Sequence, residues 1–335
     1  MAPPSVNHPS HKTSRFSPRV AVAAVIVLTL LYLALPHNHH HAQKLIDTIA
    51  EKSSSLSSHP APEWALTDDF HADDAAAQEH KENQAAPACR TDYVRSLQDA
   101  AQNPTNKPQL SFEQLLWIAT TVQTSAYALT TRGGIKRDHR FLVWGLGHDS
   151  PLWDNANCFV PPHASPGSGL AARRGRTAFV ENWQTWIDTV SAAYPSLEVH
   201  FFDKYTSTVA TSDAFFASPT SLQLPEEVQN VCWDVILVDA PQGYQPDQPG
   251  RHEATHWSVQ KAKDCLRANK LSEVHIFLHD VNRALENKIV DNILRAAGGT
   301  DLGRINGVAG DLVAFRFTKA SLVDDLHGLG GPGSH

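Results

Sequence analysis

The chain lacks the features of a nucleic-acid-binding protein and of a small zinc or thiol-redox protein. It has 28 Lys and Arg against 35 Asp and Glu, a net charge of −7, and no basic stripe that could follow a phosphate backbone. Only four cysteines are present, none of them in C-x-x-C spacing, so zinc and thioredoxin-like sites have no support. No internal repeat is visible. The 335 residues, 41% hydrophobic and 19% charged, otherwise have an ordinary globular composition.

The four cysteines leave two chemical states open. In an oxidising compartment they could form up to two disulfides, in any of three pairings between which sequence does not choose. In a reducing compartment they would remain thiols, some of them buried. The cysteines are Cys89, Cys158, Cys232 and Cys265.

Long hydrophobic runs are also scarce, and the one present lies near the N-terminus. Val20–Leu35 contains 16 uncharged, mostly apolar residues, which as a helix span roughly 24 Å, near the thickness of the thinner membranes of the early secretory pathway. Three basic residues precede it within residues 1–19, and none follows until Lys44. The positive-inside rule therefore predicts a cytosolic tail (1–19), a type II signal anchor (20–35) and a luminal remainder. A cleaved signal peptide is the alternative.

The next segment has too little apolar content to fold alone. Residues 36–108 are rich in Ala, Ser, His, Pro and acidic residues, which predicts a disordered stem, interrupted by a short helix near Cys89 to Ala101. The H-N-H-H-H run at 37–41 could bind a metal, or it is solvated juxtamembrane sequence. We place the folded domain at 109–319 and a flexible tail at 320–335.

Helix and strand signals alternate through the folded domain. Ser111 and Gln114 have capping-box spacing at the start of a helical pattern that ends at Gly133–Gly134. Six strand-like runs follow, separated by helical or polar segments, at 140–145, 176–181, 197–202, 233–240, 273–280 and 311–317. This alternation predicts an α/β domain with a doubly wound, mostly parallel sheet. The last two runs lie close enough in the chain to form an antiparallel end.

Polar residues follow the predicted strands at the points where the strands end. The first strand runs into the turn G-L-G-H-D-S at 145–150, the second ends in Glu181, the fourth in Asp239, and the fifth in His279 and Asp280. Because the carboxyl ends of parallel strands share one edge of a sheet, these groups should converge there. An ordinary strand-to-helix turn is the alternative for the glycine motif alone.

Two ligands suit a glycine turn followed by an acid: a dinucleotide and S-adenosylmethionine. The third glycine of the dinucleotide fingerprint is absent, and Glu181 follows Gly147 by 34 residues instead of about 20. An acid and a hydroxyl in the turn suit the amino and carboxyl groups of a methionine tail, so we favour S-adenosylmethionine, with Glu181 on the ribose. The candidate cofactor-binding residues are Gly145, Gly147, His148, Asp149, Ser150 and Glu181.

Two longer motifs carry a resemblance to a known family. The segments W-D-V-I-L-V-D-A-P-Q-G-Y-Q-P-D-Q-P-G-R (233–251) and V-H-I-F-L-H-D-V-N-R (274–283) follow F-L-V-W-G-L-G-H-D-S and G-R-T-A-F-V-E in order. Together they resemble the plant glucuronoxylan 4-O-methyltransferase and irregular-xylem family (DUF579, polysaccharide biosynthesis). The chain departs from the family pattern at Gln242, where Lys is usual, at Asn182, where a second acid is common, and in the loop after Cys158.

The resemblance implies a Rossmann-like S-adenosylmethionine-dependent methyltransferase in the Golgi membrane, anchored as a single-pass type II protein. The implied reaction methylates the 4-hydroxyl of glucuronic acid on a glucuronoxylan-like cell-wall polysaccharide. Two alternatives stay open: a non-catalytic Golgi factor of the same fold, and a methyltransferase for another acceptor, such as arabinogalactan glucuronate or a small molecule. No nucleic-acid partner is expected.

The chemistry needs a partly deprotonated sugar hydroxyl. The available bases are Asp239, His279 and Asp280. Alternatively, Asp239, Asp280 and Asn282 could hold Mg²⁺ or Mn²⁺, because these cations prefer oxygen ligands. The candidate substrate-binding residues are Tyr244, Arg251 and Arg283. Either Arg could instead form a structural ion pair, and Tyr244 could instead pack in the core.

Overall fold

The computed structural model describes residues 93–103, 109–131, 137–159 and 173–326. The predicted cytosolic tail, signal anchor and H-N-H-H-H run lie outside these residues, as do most of the predicted stem and the end of the C-terminal tail. Within the described part of the chain, no helix is long and apolar enough to cross a membrane.

The described residues form an α/β domain with nine strands and eight α-helices. The strands are β1 (Arg140–Trp144), β2 (Cys158–Phe159), β3 (Arg173–Arg174), β4 (Arg176–Glu181), β5 (Glu198–Phe201), β6 (Val235–Val238), β7 (Glu273–Leu278), β8 (Thr300–Ile305) and β9 (Leu312–Thr318). The α-helices are α1 (Tyr93–Gln102), α2 (Phe112–Thr131), α3 (Ser150–Ala156), α4 (Gln184–Ala193), α5 (Ser212–Ala217), α6 (Glu226–Gln229), α7 (His252–Arg267) and α8 (Ala284–Ile289). A π-helical turn (Val290–Arg295) extends α8, and two 3₁₀ segments span Val209–Thr211 and Lys319–Leu326.

Seven of the strands form one sheet in the order β5-β4-β1-β6-β7-β9-β8. The first five are parallel, whereas β9 runs antiparallel to both β7 and β8. This confirms the predicted doubly wound sheet with an antiparallel end. The chain moves outward from β1 to β4 and β5, then returns to the other side of β1 for β6 and β7. The carboxyl ends of β1 and β6 therefore flank a topological switch point, where open α/β sheets bind ligands.

Both faces of the sheet are buried, which explains why its parallel strands read as continuous apolar runs. Phe141 and Val143 of β1 pack into a cluster with residues of α1, α2 and α4. Leu142 and Trp144 point to the opposite face and pack with residues of α7 and the π-helical turn. The central strands are thus fixed from both sides, so the positions of the loops at their carboxyl ends are well defined.

Helix α2 starts where the capping-box spacing predicts. The backbone N–H of Ser111 donates to Gln114 Oε1 (2.8 Å), and the backbone N–H of Gln114 lies 3.4 Å from Ser111 Oγ. Helix α1 corresponds to the short helix predicted near Cys89 to Ala101. Its Leu97 is buried in the same cluster as Leu115 of α2, so packed structure extends to the N-terminal side of residue 109.

Two small elements escape the sequence patterns. Strand β8 is an exposed edge strand with a bulge between Asp301 and Gly303, and its residues carry no apolar alternation. Strands β2 and β3 are two residues each and pair only with one another. Strand β8 lacks the buried face on which period-two patterns depend, and β2 and β3 are too short to show a period.

A disulfide joins Cys232, just before β6, to Cys265 of α7. Cys158 is disulfide-bonded as well. The Cys232–Cys265 disulfide joins residues 33 positions apart. Because it lowers the conformational entropy of the unfolded chain, it raises the free energy of unfolding by about 3 to 4 kcal/mol. One of the pairings that the sequence left open is thereby assigned.

The first residue of α7, His252, is fully buried beside the rings of Phe215 and Phe216. Its Nε2 lies 2.6 Å from Ser207 Oγ, and its Nδ1 has no hydrogen-bond partner. Burial lowers the pKa of this imidazole from 6.5 to about 4, although the charge of Glu253 opposes the shift. As the pH falls, the unfolded chain therefore binds a proton at this position before the folded protein does.

We predict that His252 makes the protein less stable in mild acid. The penalty is absent above pH 6.5, grows as the pH falls toward 4, and reaches about 2 kcal/mol at pH 5. Urea unfolding of the wild type and of His252→Gln at pH 7 and pH 5 tests this. The wild type should lose about 2 kcal/mol more than the variant over this interval. An equal loss in both proteins would show that His252 does not titrate as its environment indicates.

Candidate active site

The glycine turn after β1 lies at the switch point and touches the end of β6. Gly145 has φ +114°, a conformation that residues with a side chain rarely adopt. A Cβ at this position would lie 3.2 Å from the Cβ of Ala240, which follows β6. The backbone N–H of Gly145 donates to Val180 O of β4 (2.8 Å). The turn is thus built into the gap between β4 and β6.

The polar residues of the turn have different surroundings. The Ser150 hydroxyl is buried and accepts the backbone N–H of Gly147 (2.9 Å), so it tightens the turn. His148 is exposed, and its ring meets Trp186 edge to face at 5.2 Å. Contacts of these side chains with a methionine tail stay predictions.

Glu181 ties the glycine turn to the loop that follows β4. Its Oε2 accepts the backbone N–H of Leu146 (3.0 Å), and its Oε1 accepts those of Asn182 (2.7 Å) and Trp183 (3.0 Å). Burial raises the pKa of this carboxyl, although the three N–H bonds oppose the shift. The predicted ribose ligand is therefore also a structural residue, because it holds together the two loops that would flank a nucleoside.

Asp149 connects the turn with the polar groups after β6 and β7. Burial, followed by the negative charge of Asp239, raises the pKa of Asp149 to about 6. A weaker favourable interaction with His279 opposes this shift. Asp149 therefore lies close enough to Asp239 and His279 to respond to their charges, as the predicted convergence at the sheet edge requires.

Asp239, His279 and Asp280 come together where the adjacent strands β6 and β7 end. One ligating atom from each residue lies within 4.8 Å of the other two. His279 Nδ1 is 2.8 Å from Asp239 Oδ1 and 3.8 Å from Asp280 Oδ1. The side chains of His279 and Asp280 are buried, whereas that of Asp239 is 25% exposed. Of these three side chains, Asp239 is the one that solvent reaches.

The electrostatics of the Asp239–His279 pair favour the charged forms of both groups. Burial alone would lower the pKa of His279, but the charge and hydrogen bond of Asp239 outweigh it and raise the pKa. Burial alone would raise the pKa of Asp239, but His279, Arg251 and Arg283 outweigh it and lower the pKa. The pair thus holds Asp239 as a carboxylate, the form that can accept a proton.

Arg251 lies beneath this pair and is itself buried. Its Nη1 donates to Asp280 Oδ2 (2.5 Å), and its Nη2 donates to the backbone oxygen of Asp239 and lies 3.2 Å from Asp239 Oδ1. A third acid, Glu286 of α8, lies 3.5 Å from Nη1 and is fully buried. Arg251 thus forms the structural ion pairs that were the alternative to substrate binding. Its binding to the acceptor stays a prediction.

The sequence reasoning missed Glu286. It lies three residues after Arg283, on the helix that follows the H-D-V-N-R motif. Burial raises the pKa of its carboxyl, although the charge of Arg251 opposes the shift. The sequence does contain one indication of this role: Glu286 lies on the apolar face of a short helix. An acidic residue is seldom buried in such a position without a basic partner.

Asp280 has a strained backbone and an unused oxygen. Its φ of +64° is uncommon for a residue with a side chain, and such outliers concentrate at functional sites. Asp280 Oδ1 and His279 Nε2 are buried without a hydrogen-bond partner. A Cβ on Gly310 would lie 2.2 Å from the first atom and 3.0 Å from the second, so the backbone at Gly310 covers both.

The three converging side chains form a donor set that suits a divalent cation. The two carboxylates suit Mg²⁺ and Mn²⁺, whereas the imidazole favours Mn²⁺ or another transition-metal ion over Mg²⁺. The group includes His279 in place of the predicted Asn282, which is exposed on the turn after β7. A role for Asn282 as a ligand stays a prediction.

Two predicted substrate-binding residues lie at the rim of this cluster. Arg283 Nη2 is 2.9 Å from Asp280 Oδ2, and the Arg283 side chain is 31% exposed. Its guanidinium lies 5.7 Å from the centre of the Tyr244 ring, and Tyr244 is 57% exposed. Tyr244 therefore does not pack in the core, and both side chains can be reached from solvent.

The cluster falls within the segment by which this chain is related to known proteins. A family model described as IRX15/IRX15L/GXM matches residues 220–297. Glucuronoxylan 4-O-methyltransferase 1 of Arabidopsis thaliana is 31% identical over 173 residues, which cover 46% of this chain and 55% of that protein. Residues 220–297 therefore resemble the IRX15/IRX15L/GXM family. The resemblance read from the motifs is confirmed.

A second curated relative matches over a longer stretch of the chain. Arabinogalactan O-methyltransferase 2 of Arabidopsis thaliana is 31% identical over 212 residues, 56% of this chain and 64% of that protein. The chain spans about half the length of the curated glucuronoxylan relatives it matches, 55% of one and 51% of another. Among solved structures, the 16S rRNA methylase ArmA covers 68% of this chain and 97% of its own, with 13% identity and a TM-score of 0.25.

We predict that Glu181→Ala weakens both the fold and donor binding. The substitution leaves one buried and two partly buried backbone N–H groups without their acceptor, at a cost of about 1 to 3 kcal/mol. Denaturant unfolding should show this loss, and calorimetry with S-adenosylmethionine should show weaker binding by the folded protein. Glu198→Ala is the matched control. Glu198 forms an ion pair with Arg176, and both residues lie at the amino ends of their strands, away from the candidate cofactor site. Donor affinity equal to wild type in Glu181→Ala would remove Glu181 from the cofactor site.

Proposed function

We propose that this chain transfers a methyl group from S-adenosylmethionine to the 4-hydroxyl of glucuronic acid side groups on a glucuronoxylan-like polysaccharide. The observation that carries the proposal is the Asp239–His279–Asp280 cluster beside the glycine turn, at the switch point of the sheet. Relatives named as glucuronoxylan and arabinogalactan O-methyltransferases support the reaction class.

When bound, the donor would supply an electrophilic methyl on a sulfonium: the acceptor oxygen would bond to this carbon in line as the carbon–sulfur bond breaks, and S-adenosylhomocysteine would leave. The chain then has to place the hydroxyl and accept its proton. Asp239 is the partly exposed carboxylate at the cluster, so we assign it the contact with the acceptor hydroxyl. His279 holds this carboxylate through Nδ1 and, when protonated, stabilises its negative charge. Arg251 fixes Asp239 and Asp280 from the buried side.

A divalent cation fits the same three side chains. Asp239, His279 and Asp280 would hold it, and its charge would lower the pKa of a nearby hydroxyl. Arg251 already neutralises part of the carboxylate charge, which suits a bare base equally well. The cation mechanism and the bare-base mechanism use the same residues, but only the cation mechanism predicts that a chelator abolishes activity.

Arg283 and Tyr244 are the residues that we assign to the sugar. Guanidinium binds a carboxylate through two hydrogen bonds, which suits the uronate group, and an exposed tyrosine ring can pack on a pyranose face. Their cation–π contact would keep the two side chains together. The proximity of Arg283 to Asp280 would place the uronate ring beside the cluster.

Arabinogalactan glucuronate is the second candidate acceptor. Arabinogalactan O-methyltransferase 2 matches over 212 residues, against 173 residues for glucuronoxylan 4-O-methyltransferase 1, at the same 31% identity. The uronate chemistry that Arg283 would recognise is common to both acceptors. A panel of both glycans therefore tests the acceptor and the reaction together.

We predict that Asp239→Asn lowers turnover by about 10²- to 10⁴-fold while donor affinity stays near wild type. Labelled methyl transfer to glucuronoxylan and arabinogalactan oligosaccharides gives turnover, and calorimetry gives donor affinity. Asp264→Asn removes the same charge from an exposed position on α7 and should behave like wild type. A chelator that abolishes activity, restored by Mg²⁺ or Mn²⁺, supports the cation; an indifferent enzyme supports the bare base.

Two results would contradict this assignment. Wild-type protein that binds the donor but methylates neither glycan would reject the proposed function. Asp239→Asn with near-normal turnover would mean that the proton is accepted elsewhere in the site.

We also propose that the domain works in the lumen of the Golgi, anchored by residues 20–35. The Cys232–Cys265 disulfide supports this placement, because disulfides persist in oxidising compartments. In microsomes, a C-terminal tag should resist protease until detergent is added, and Cys232 should resist alkylation until a reductant is added. A tag digested without detergent, or a freely alkylated Cys232, would place the domain in a reducing compartment.

A further inference from the structure

The loop between β8 and β9, residues 306–311, forms the cover of the His279–Asp280 pair. The backbone at Gly310 lies against His279 Nε2 and Asp280 Oδ1, the two buried atoms that have no hydrogen-bond partner. Val308, near the middle of this loop, is fully exposed. The loop therefore reaches from solvent to the most buried part of the cluster, and small shifts of its backbone would change what these two atoms face.

Gln114, a residue from a much earlier part of the chain, forms hydrogen bonds with both ends of this loop. Gln114, in the first turn of α2, is fully buried. Its Nε2 donates to Ile305 O (3.0 Å) and to Gly310 O (2.8 Å). These carbonyls lie on the two sides of the loop, so one side-chain amide clamps the loop across its base.

The two ends of the Gln114 amide have separate tasks. Oε1 accepts the backbone N–H of Ser111 and caps α2, whereas Nε2 bonds the loop. The N-terminal cap of α2 needs only a hydrogen-bond acceptor at position 114, and a glutamate oxygen would also supply one. The loop needs a donor, because both of its partners are carbonyl oxygens.

A backbone hydrogen bond also joins the loop to the segment that carries His279 and Asp280. The backbone N–H of Val281, the residue after Asp280, donates to Asp311 O at the end of the loop (3.0 Å). Gly307 packs on the clamp itself: a Cβ there would lie 2.3 Å from Gly310 O and 2.6 Å from Gln114 Nε2. The space around the amide is thus filled, and the clamp has one arrangement.

We infer that Gln114 is a positioning residue for the methyl transfer: by clamping residues 306–311 it keeps Gly310 over His279 and Asp280. This inference rests on the proposed function. Its physical basis is that a shielded, correctly placed ion cluster is more effective than one that water can enter. Gln114 touches neither the assigned donor residues nor the assigned acceptor residues, so its effect should fall on turnover alone.

The test compares Gln114→Glu with Ser111→Ala. The glutamate keeps an acceptor for Ser111, but its second oxygen faces the two loop carbonyls: when ionised it is repelled by both, and when protonated it can donate to only one of them. We expect turnover to fall about 10- to 100-fold, the effect of a small misplacement near the reacting groups, with donor affinity unchanged. Ser111→Ala removes the hydroxyl of the cap and leaves the clamp, so its melting temperature should fall while turnover stays at the wild-type level.

Gly307→Ala breaks the same clamp from the loop side without adding a charge. It should reproduce the loss of turnover, and it covers the case in which Gln114→Glu does not fold. Chemical modification of His279 by diethyl pyrocarbonate, followed by mass spectrometry, gives a readout that needs no activity. His279 should be protected in wild type and Ser111→Ala, and it should react in Gln114→Glu and Gly307→Ala. Exposed His148 serves as the internal reference.

The outcomes separate this inference from the proposed function. If wild type methylates neither glycan, the proposed function fails, and the protection of His279 still decides whether Gln114 clamps the loop. Equal reactivity of His279 in wild type and both clamp variants would overturn the inference. Wild-type turnover in a folded Gln114→Glu protein with a reactive His279 would also overturn it, because the cover would then be unnecessary for the reaction.

Discussion

The site depends on the ion pairs of Arg251. Asp239, Asp280 and Glu286 converge on a small volume at the sheet edge, where their mutual repulsion and loss of water would be costly. One buried guanidinium meets all three, and His279 compensates Asp239 from the other side. Because Arg251 immediately precedes α7, which the disulfide through Cys265 ties to the chain before β6, its position is set by the fold as well as by its partners.

This arrangement gives the two strand ends different roles. The group after β6, Asp239, is partly exposed, and it is the one to which we assign the contact with the acceptor. The groups after β7, His279 and Asp280, are buried: Arg251 donates a hydrogen bond to Asp280, Asp239 pairs with His279, and the loop with Gly310 covers both. The same cluster thus contains one reachable carboxylate and a rigid support for it, which is what a positioned base or a cation site requires.

Sequence patterns predict the sheet well because its central strands are buried on both faces, so each is a continuous apolar run. They also predict that Asp239, His279 and Asp280 meet, since parallel strands share an edge. Sequence does not show that Glu181 holds two loops through backbone N–H groups, or that Glu286 and Gln114 take part, because these contacts join residues far apart in the chain. Strand β8 is missed because an exposed edge carries no apolar alternation.

The departures of this chain from the family pattern acquire different meanings in the structure. Asn182 contributes its backbone N–H to Glu181, a contact that any residue except proline would make, so the departure there does not disturb the loop. Gln242 is exposed, and its side chain pairs with Gln248, whose Oε1 accepts the backbone N–H of Tyr244. Replacement of a lysine at 242 therefore removes a positive charge beside the ring that we assign to the sugar. The departure at Gln242 thus lies beside the ring that we assign to the acceptor, and not among the buried ion pairs of Arg251.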